Sequence, residues 1–153
     1  MHIETVNAAT FEQILPLIAA YQRFYQTEPD DQRNRAHFGQ FLNDHSKGIQ
    51  FVALDDTGSA LGFATLYFPL SSTRATVYCL LNDLFTIPES RGQGVGRALI
   101  GHSLHYAQGL GFDRISWQTA QTNSTAQQLY DHTGATRGAW YTYTLFAKDY
   151  REV

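Results

Sequence analysis

The apolar positions of this chain change period several times, and each change marks an element. Ile3 to Val6 is a short alternating run that predicts a first strand. Phe11, Ile14, Leu15, Ile18, Tyr21 and Tyr25 then recur at helical spacing. Thr10 and Gln13 have the form of a capping box at the start of that helix, and Pro16 inside it predicts a kink or restart. Pro29-Asp30-Asp31 breaks the pattern, and a second helix carries Phe38, Phe41 and Leu42. Ile49 to Leu54 reads as a strand, Asp55-Asp56-Thr57-Gly58 as a turn, and Leu61 to Phe68 as the returning strand. After the Ser71-Ser72-Thr73 loop, Thr76 to Ile87 is one long extended segment. Polar Asn82 and Asp83 interrupt it, which predicts a bulge or a site. Arg97 to Leu110 is a helix, Arg114 to Thr119 a strand, and Ser124 to about Thr133 a helix opened by a capping box and closed at Gly134. Trp140 to Phe146 alternates as a last strand. The order βααβββαβαβ predicts one α/β domain over residues 1–153, a mixed sheet with helices on both faces.

Composition narrows the function classes. An apolar fraction of 43% in 153 residues is enough for one core. The net charge of −3 comes without a block of like charge, so nucleic acid is not an expected partner. No apolar run approaches the ~20 residues that cross a membrane, and Met1-His2-Ile3-Glu4-Thr5 lacks the features of a signal segment. The single Cys79 lies in an apolar run and reads as a buried thiol rather than a nucleophile. The expected location is the reducing cytoplasm. His102 and His105 stand three apart on a helix without an evident third ligand, so no metal site is expected.

The chemistry concentrates between Leu84 and Ile100, where an apolar strand meets a glycine-rich turn that opens a helix. Glycines let the backbone approach a ligand, and a helix start presents unpaired N–H groups to an anion. Arg91 and Arg97 flank the turn. A P-loop would need Gly-x-x-x-x-Gly-Lys, which is absent from the chain. A dinucleotide fingerprint would need its third glycine one position later than Gly96.

Arg91-Gly92-Gln93-Gly94-Val95-Gly96 resembles the pyrophosphate loop of the GNAT superfamily, the acetyl-CoA-dependent N-acetyltransferases. Leu81-Asn82-Asp83-Leu84-Phe85-Thr86 resembles the family's central strand, and Asn123-Ser124-Thr125-Ala126 with Leu129 to Ala135 its later cofactor-contacting segment. The resemblance covers roughly residues 78–146. It is strongest to the branch of spermidine/spermine and related small-amine or histone N-acetyltransferases. It implies a mostly antiparallel twisted sheet flanked by helices, and a homodimer in which Trp140, Tyr141 and Tyr143 could join the interface.

The resemblance also implies roles. Main-chain N–H groups from Gly92 through Arg97 hold the diphosphate, and Leu84, Phe85 and Thr86 offer a backbone edge to the pantetheine arm. Asn123 and Ala126 contact the cofactor. Asn123 reads equally as a helix cap. A backbone N–H near Phe85 polarises the acetyl carbonyl. Tyr130 protonates the leaving thiolate, as its pKa order allows. At the position where polyamine-acetylating relatives carry Glu, this chain has Asn82, which can orient an amine but cannot accept its proton. Asp83 points to the other face of a regular strand and reads as a structural residue. Tyr21, Tyr25, Glu28 and Asn82 are expected to line the acceptor side, with Glu28 a candidate base. The implied reaction moves acetyl from acetyl-CoA directly to a primary amine, on a small molecule or a peptide. A non-catalytic acyl-CoA sensor is the alternative that the missing acid motivates.

Overall fold

In the computed structural model, which describes residues 1–150, the first strand β1 (His2–Thr5) leads into α1 (Ala8–Phe24) and α2 (Asp31–Gly39). Strands β2 (Gly48–Leu54) and β3 (Ala60–Tyr67) form a hairpin, followed by the short strands β4 (Leu70–Ser71) and β5 (Thr76–Val77). Then come β6 (Leu80–Thr86), α3 (Val95–Gly109) and α4 (Ser124–Asp131). The main sheet runs β1-β2-β3-β6, every neighbouring pair antiparallel. A parallel bridge from Leu80 to Ser116 makes it mixed.

Each sheet face carries its own apolar layer. Ile14, Leu15 and Ile18 of α1 and Phe38 of α2 pack on Val52, Leu54, Phe63 and Phe85. On the opposite face, Val95, Leu99, Ile100 and Ala107 of α3 pack on Phe51, Ala53, Ala64 and Leu81. Alternation along β2 and β3 sends successive side chains to the two layers, so both strands are buried over almost their whole length.

Several local expectations are corrected. Helix α1 starts earlier: Asn7 caps it, accepting from the N–H groups of Ala9 and Thr10, and Thr10 Oγ1 accepts from Asn7 N–H. Gln13 instead ties the helix to the β2–β3 turn through Gly58 O and Ala60 N–H. Pro16 does not divide α1. Glu12 and Pro16 both face outward, so the carbonyl that loses its donor has access to water. The long segment 76–87 is broken at 78–79, because Thr76 and Val77 pair back on Ser71 and Leu70. Residues 114–119 form no regular strand beyond the Ser116 bridge. Residues 140–146 form none either: Trp140 is 98% exposed and Tyr143 92%. Alternation creates a strand only when a ladder partner is present.

Candidate active site

The centre of the site is the strand–turn–helix unit β6–α3. Pro88 to Ser90 make one tight turn, and the chain then takes left-handed conformations at Gly92 (φ 76°) and Gly94 (φ 83°). Gly94 is the N-cap of α3 and supplies no side-chain cap, so the first N–H groups of the helix stay unpaired and face outward. A Cβ at Gly92 or Gly94 would meet no atom within 4 Å, so the bend opens onto free space. Gly96 serves packing: its Cα lies against α4, where an added Cβ would come 3.0 Å from Leu129 Cδ2. Arg91 and Arg97 are exposed beside the bend. Arg91 Nε lies 3.4 Å from the Thr86 carbonyl, and Gln93 Nε2 donates to the Glu89 carbonyl at 2.8 Å, bracing the turn from both sides.

The neighbouring strand has an open edge. Ile87 N–H donates to Leu61 O, and antiparallel alternation then directs Phe85 and Asp83 main-chain groups to β3. The backbones of Leu84 and Thr86 face the other way. On that side the chain is tied to residues 114–119 only at Ser116, which accepts from Leu81 N–H and donates to Cys79 O. Beyond this tie the two segments lack further ladder bonds. The outward N–H groups are those of Leu84 and Thr86, rather than that of Phe85.

The register slips between Thr65 and Leu66, whose partners are Asp83 and Leu81, so Asn82 is the extra residue of a β-bulge. The bulge was legible as a polar interruption, but its consequence was not. It leaves Asn82 exposed and turns Asp83 into the face beneath α1, where it is 6% exposed. There it closes a buried polar row across three strands. Gln50 Nε2 donates to Thr65 Oγ1 at 3.0 Å, and Thr65 sits opposite Asp83. Asn82 Nδ2 donates to Asp83 Oδ1 at 3.1 Å. Asp83 Oδ2 is buried and makes no hydrogen bond of normal geometry. Burial pushes the Asp83 carboxyl above its usual range, offset in part by Thr65, Asn82 and Tyr21 and by the nearby His37.

A cleft of about 490 Å³ is lined by Tyr21, Gln22, Tyr25 and Thr27 on one side and Gln118, Thr119 and Ala120 on the other. Tyr21 stacks edge-on against Tyr25 and Phe85. Tyr130 meets Trp117 edge-on at 5.3 Å. Burial first, and then Tyr25, push the Tyr130 phenol up to about 12, so it keeps its proton at neutral pH. Tyr21, held mainly by burial and then by the Asp83 charge, is raised further.

The structure thus brings Tyr21, Tyr25 and Tyr130 to one region. Glu28 is exposed just past Thr27 and does not line the cleft. Asp30 caps α2 through Arg33 N–H and Asp31 pairs with Arg35, so both acids are structural. Asn123 Oδ1 caps α4 through Ala126 N–H at 3.2 Å. His102 is half-buried against Phe51. Cys79 is buried, its thiol pushed up to about 11, and it is unsuited to nucleophilic attack. The sequence reading missed Thr65, Gln118 and Thr119. For Gln118 and Thr119 the signal was the Ile115-x-Trp117-x-Thr119 alternation, and for the polar row it was Gln50 inside an apolar run.

Asp83 also sets a stability expectation. Its folded pKa is raised, so its contribution is most favourable below the ordinary carboxylate pKa of ~3.9 and is lost as pH rises through the folded value. Asp83→Asn removes that charge. At pH 7 the variant should melt no lower than the wild type, and up to about 2–4 °C higher for each ~1 kcal/mol of desolvation relieved. The gap should close on acidification. A variant that melts lower at pH 7 and equally at low pH contradicts this sign.

Comparison with known proteins places this geometry. The pattern of the acetyltransferase (GNAT) family matches residues 12–135. An uncharacterized N-acetyltransferase of Bacillus subtilis is 31% identical over 134 residues, 88% of this chain and 89% of that protein. The D-amino-acid N-acetyltransferase of Saccharomyces cerevisiae is 33% identical over 111 residues, 72% and 69% of the two chains. A crystal structure of a probable acetyltransferase superposes with a TM-score of 0.84 at 26% identity, covering 98% of this chain and all of the other.

Proposed function

The chain belongs to the acetyltransferase (GNAT) family, and on that premise we propose that it moves acetyl from acetyl-CoA directly onto a primary amine of a small molecule. The observation that carries this reading is the pairing of an uncapped, glycine-opened helix start with the outward backbone of Leu84 and Thr86. The first fits a diphosphate and the second an extended amide-bearing arm. Bound there, acetyl-CoA supplies a thioester acetyl group. Amides from Gly92 through Arg97 hold the phosphates, with Arg91 and Arg97 adding charge, and Asn123 and Ala126 border the arm. An outward N–H of Leu84 or Thr86 polarises the acetyl oxygen; one such donor is worth roughly 3 kcal/mol in comparable sites. Tyr130 gives a proton to the departing sulfur. Asn82, whose Nδ2 is committed to Asp83, offers its amide oxygen to the incoming amine.

A small acceptor fits the cleft of about 490 Å³ better than a folded protein surface does. This is consistent with the small-amine side of the branch that the motifs resemble. The buried, high-pKa Cys79 supports transfer without a covalent enzyme intermediate. We place the protein in the cytoplasm, acting as one domain; no helix among the described residues is long and apolar enough to cross a membrane. Free thiol should appear when acetyl-CoA is mixed with the protein and a panel of small amines, in step with acetylated amine. Tight CoA binding without amine-dependent thiol release would instead favour the sensor reading.

We further propose a homodimer. Trp140, Tyr141, Tyr143, Leu145 and Phe146 are all more than 60% exposed, an apolar stretch that favours cover by a second copy. Sedimentation equilibrium should give twice the chain mass of 17.2 kDa, and Trp140→Ser with Tyr143→Ser should halve it. A wild-type chain that stays monomeric at high concentration removes this part of the account.

A further inference from the structure

We infer that the cleft walled by Tyr21 and Tyr25 selects acceptor amines with an apolar body and no carboxylate, so that free amino acids are refused. This rests on the acetyltransferase reading and names the substrate class of that site. Two contacts tie the cleft to the transfer point. Tyr21 meets Phe85 edge-on at 6.2 Å, and Phe85 stands between the outward backbones of Leu84 and Thr86 on β6. Gln118 follows Trp117, whose ring lies 5.3 Å from that of Tyr130. An amine that reaches the thioester beside Tyr130 has its body against these walls.

The lining consists of two tyrosines, two glutamines, two threonines and one alanine, with no Asp, Glu, His, Lys or Arg among them. The Tyr21 and Tyr25 rings pack edge-on at 5.1 Å, and Phe24 continues the row against Tyr25 at 5.1 Å. That row offers an aromatic surface for a hydrocarbon body to cover. On the other wall, Thr119 Oγ1 is buried without a hydrogen-bond partner. A single N–H of the acceptor satisfies it.

A carboxylate would have no counterion here. Two acidic groups border the lining: Glu28 follows Thr27, and Asp83 lies next to the Tyr21 hydroxyl. Because that hydroxyl is turned to Asp83, it is not free to solvate a second anion. Arg23 lines a separate groove with Glu12, Asp31 and Arg35. Arg91 and Arg97 stand beside the bend before α3, on the diphosphate of the proposed complex. Neutral amides and hydroxyls do not replace the hydration of a full charge, so a carboxylate carried into the cleft stays underpaired. A site with nothing to pair a charged group discriminates against it more sharply than any methylene does.

The test uses three acceptors that share one ring: phenethylamine, phenylalaninamide and phenylalanine. The kcat/KM for phenethylamine should exceed that for phenylalanine by about a hundredfold or more, although the amine of phenylalanine is less basic and easier to deprotonate. Phenylalaninamide matches phenylalanine in size without its charge and should stay within about tenfold of phenethylamine. Equal use of phenethylamine and phenylalanine, or rejection of the amide together with the acid, overturns the proposal. Gln118→Arg puts a cation at an exposed wall position. It should raise kcat/KM for phenylalanine about tenfold or more and lower that for phenethylamine, a gain that misfolding cannot produce. A variant that melts like the wild type and shows no such gain also overturns it. A second measurement needs no turnover. In nuclear magnetic resonance, the ring protons of phenethylamine should receive saturation transfer from the CoA-loaded protein, and those of phenylalanine none at the same concentration. Transfer to neither, or equally to both, overturns the selectivity. Transfer to phenethylamine alone, with no amine releasing thiol from acetyl-CoA, leaves the selectivity of the cleft standing and removes the transferase reading.

Discussion

Gly94→Glu should weaken CoA binding at least a hundredfold in calorimetry while leaving the protein folded. The position is the N-cap of α3 and sits at φ 83°, with open space where a side chain would project. Two costs separate cleanly. The left-handed backbone charges a non-glycine residue about 1–2 kcal/mol, which thermal unfolding reads as a fall of about 2–8 °C for a chain of this size. The carboxylate stands in front of the unpaired N–H groups that are meant for phosphate. It takes their hydrogen bonds, each worth about 1.5–3 kcal/mol to a charged partner, and repels the ligand. A hundredfold loss is about 2.8 kcal/mol, so one displaced bond plus the repulsion is enough. Gly94→Asn tolerates the backbone angle and carries no charge, so it should bind CoA with an intermediate affinity. Undiminished binding by the Glu variant would show that the bend is only a connection between strand and helix.

Tyr130→Phe should lower kcat about a hundredfold and change CoA affinity less than threefold. The ring packs edge-on against Trp117 at 5.3 Å, a contact that Phe reproduces. The variant therefore removes the hydroxyl and little else. With its pKa pushed up to about 12, the phenol is protonated throughout the working pH range and can donate to a thiolate whose reference pKa is ~8.5. A positioned general acid contributes 10²–10⁴-fold as an order of magnitude, and water reaching this half-buried site can replace part of that. The loss should fall on kcat, because the proton is needed only as the C–S bond breaks. An unchanged kcat would reduce Tyr130 to a wall residue.

How much of this was legible in the sequence depended on how local each cause is. The bend at Gly92 and Gly94 was readable because positive φ is a property of single residues, and the structure has both there. The bulge was readable because Asn82 and Asp83 break an apolar run. The direction that Asp83 takes was not, since it depends on a slip in the pairing with Thr65 and Leu66 on another strand. The row from Gln50 through Thr65 to Asp83 spans three strands, and no window along the chain contains it. Helix α1 was placed correctly while its cap was not: Asn7 and Thr10 both have capping side chains, and Asn7 takes the role with Thr10 as its reciprocal partner. Residues 114–119 and 140–146 carry strand patterns that earn regular structure only from a neighbouring strand, and an alternating sequence does not specify one.

The central claim concerns where the cofactor lies. A crystal structure of the protein with acetyl-CoA tests it most directly. The account predicts the diphosphate against the amides of Gly92 through Arg97, the pantetheine beside the outward backbone of Leu84 and Thr86, and the thioester sulfur within reach of the Tyr130 hydroxyl. Acetyl-CoA bound elsewhere, with the bend empty and the edge beyond Leu81 bare, would contradict it.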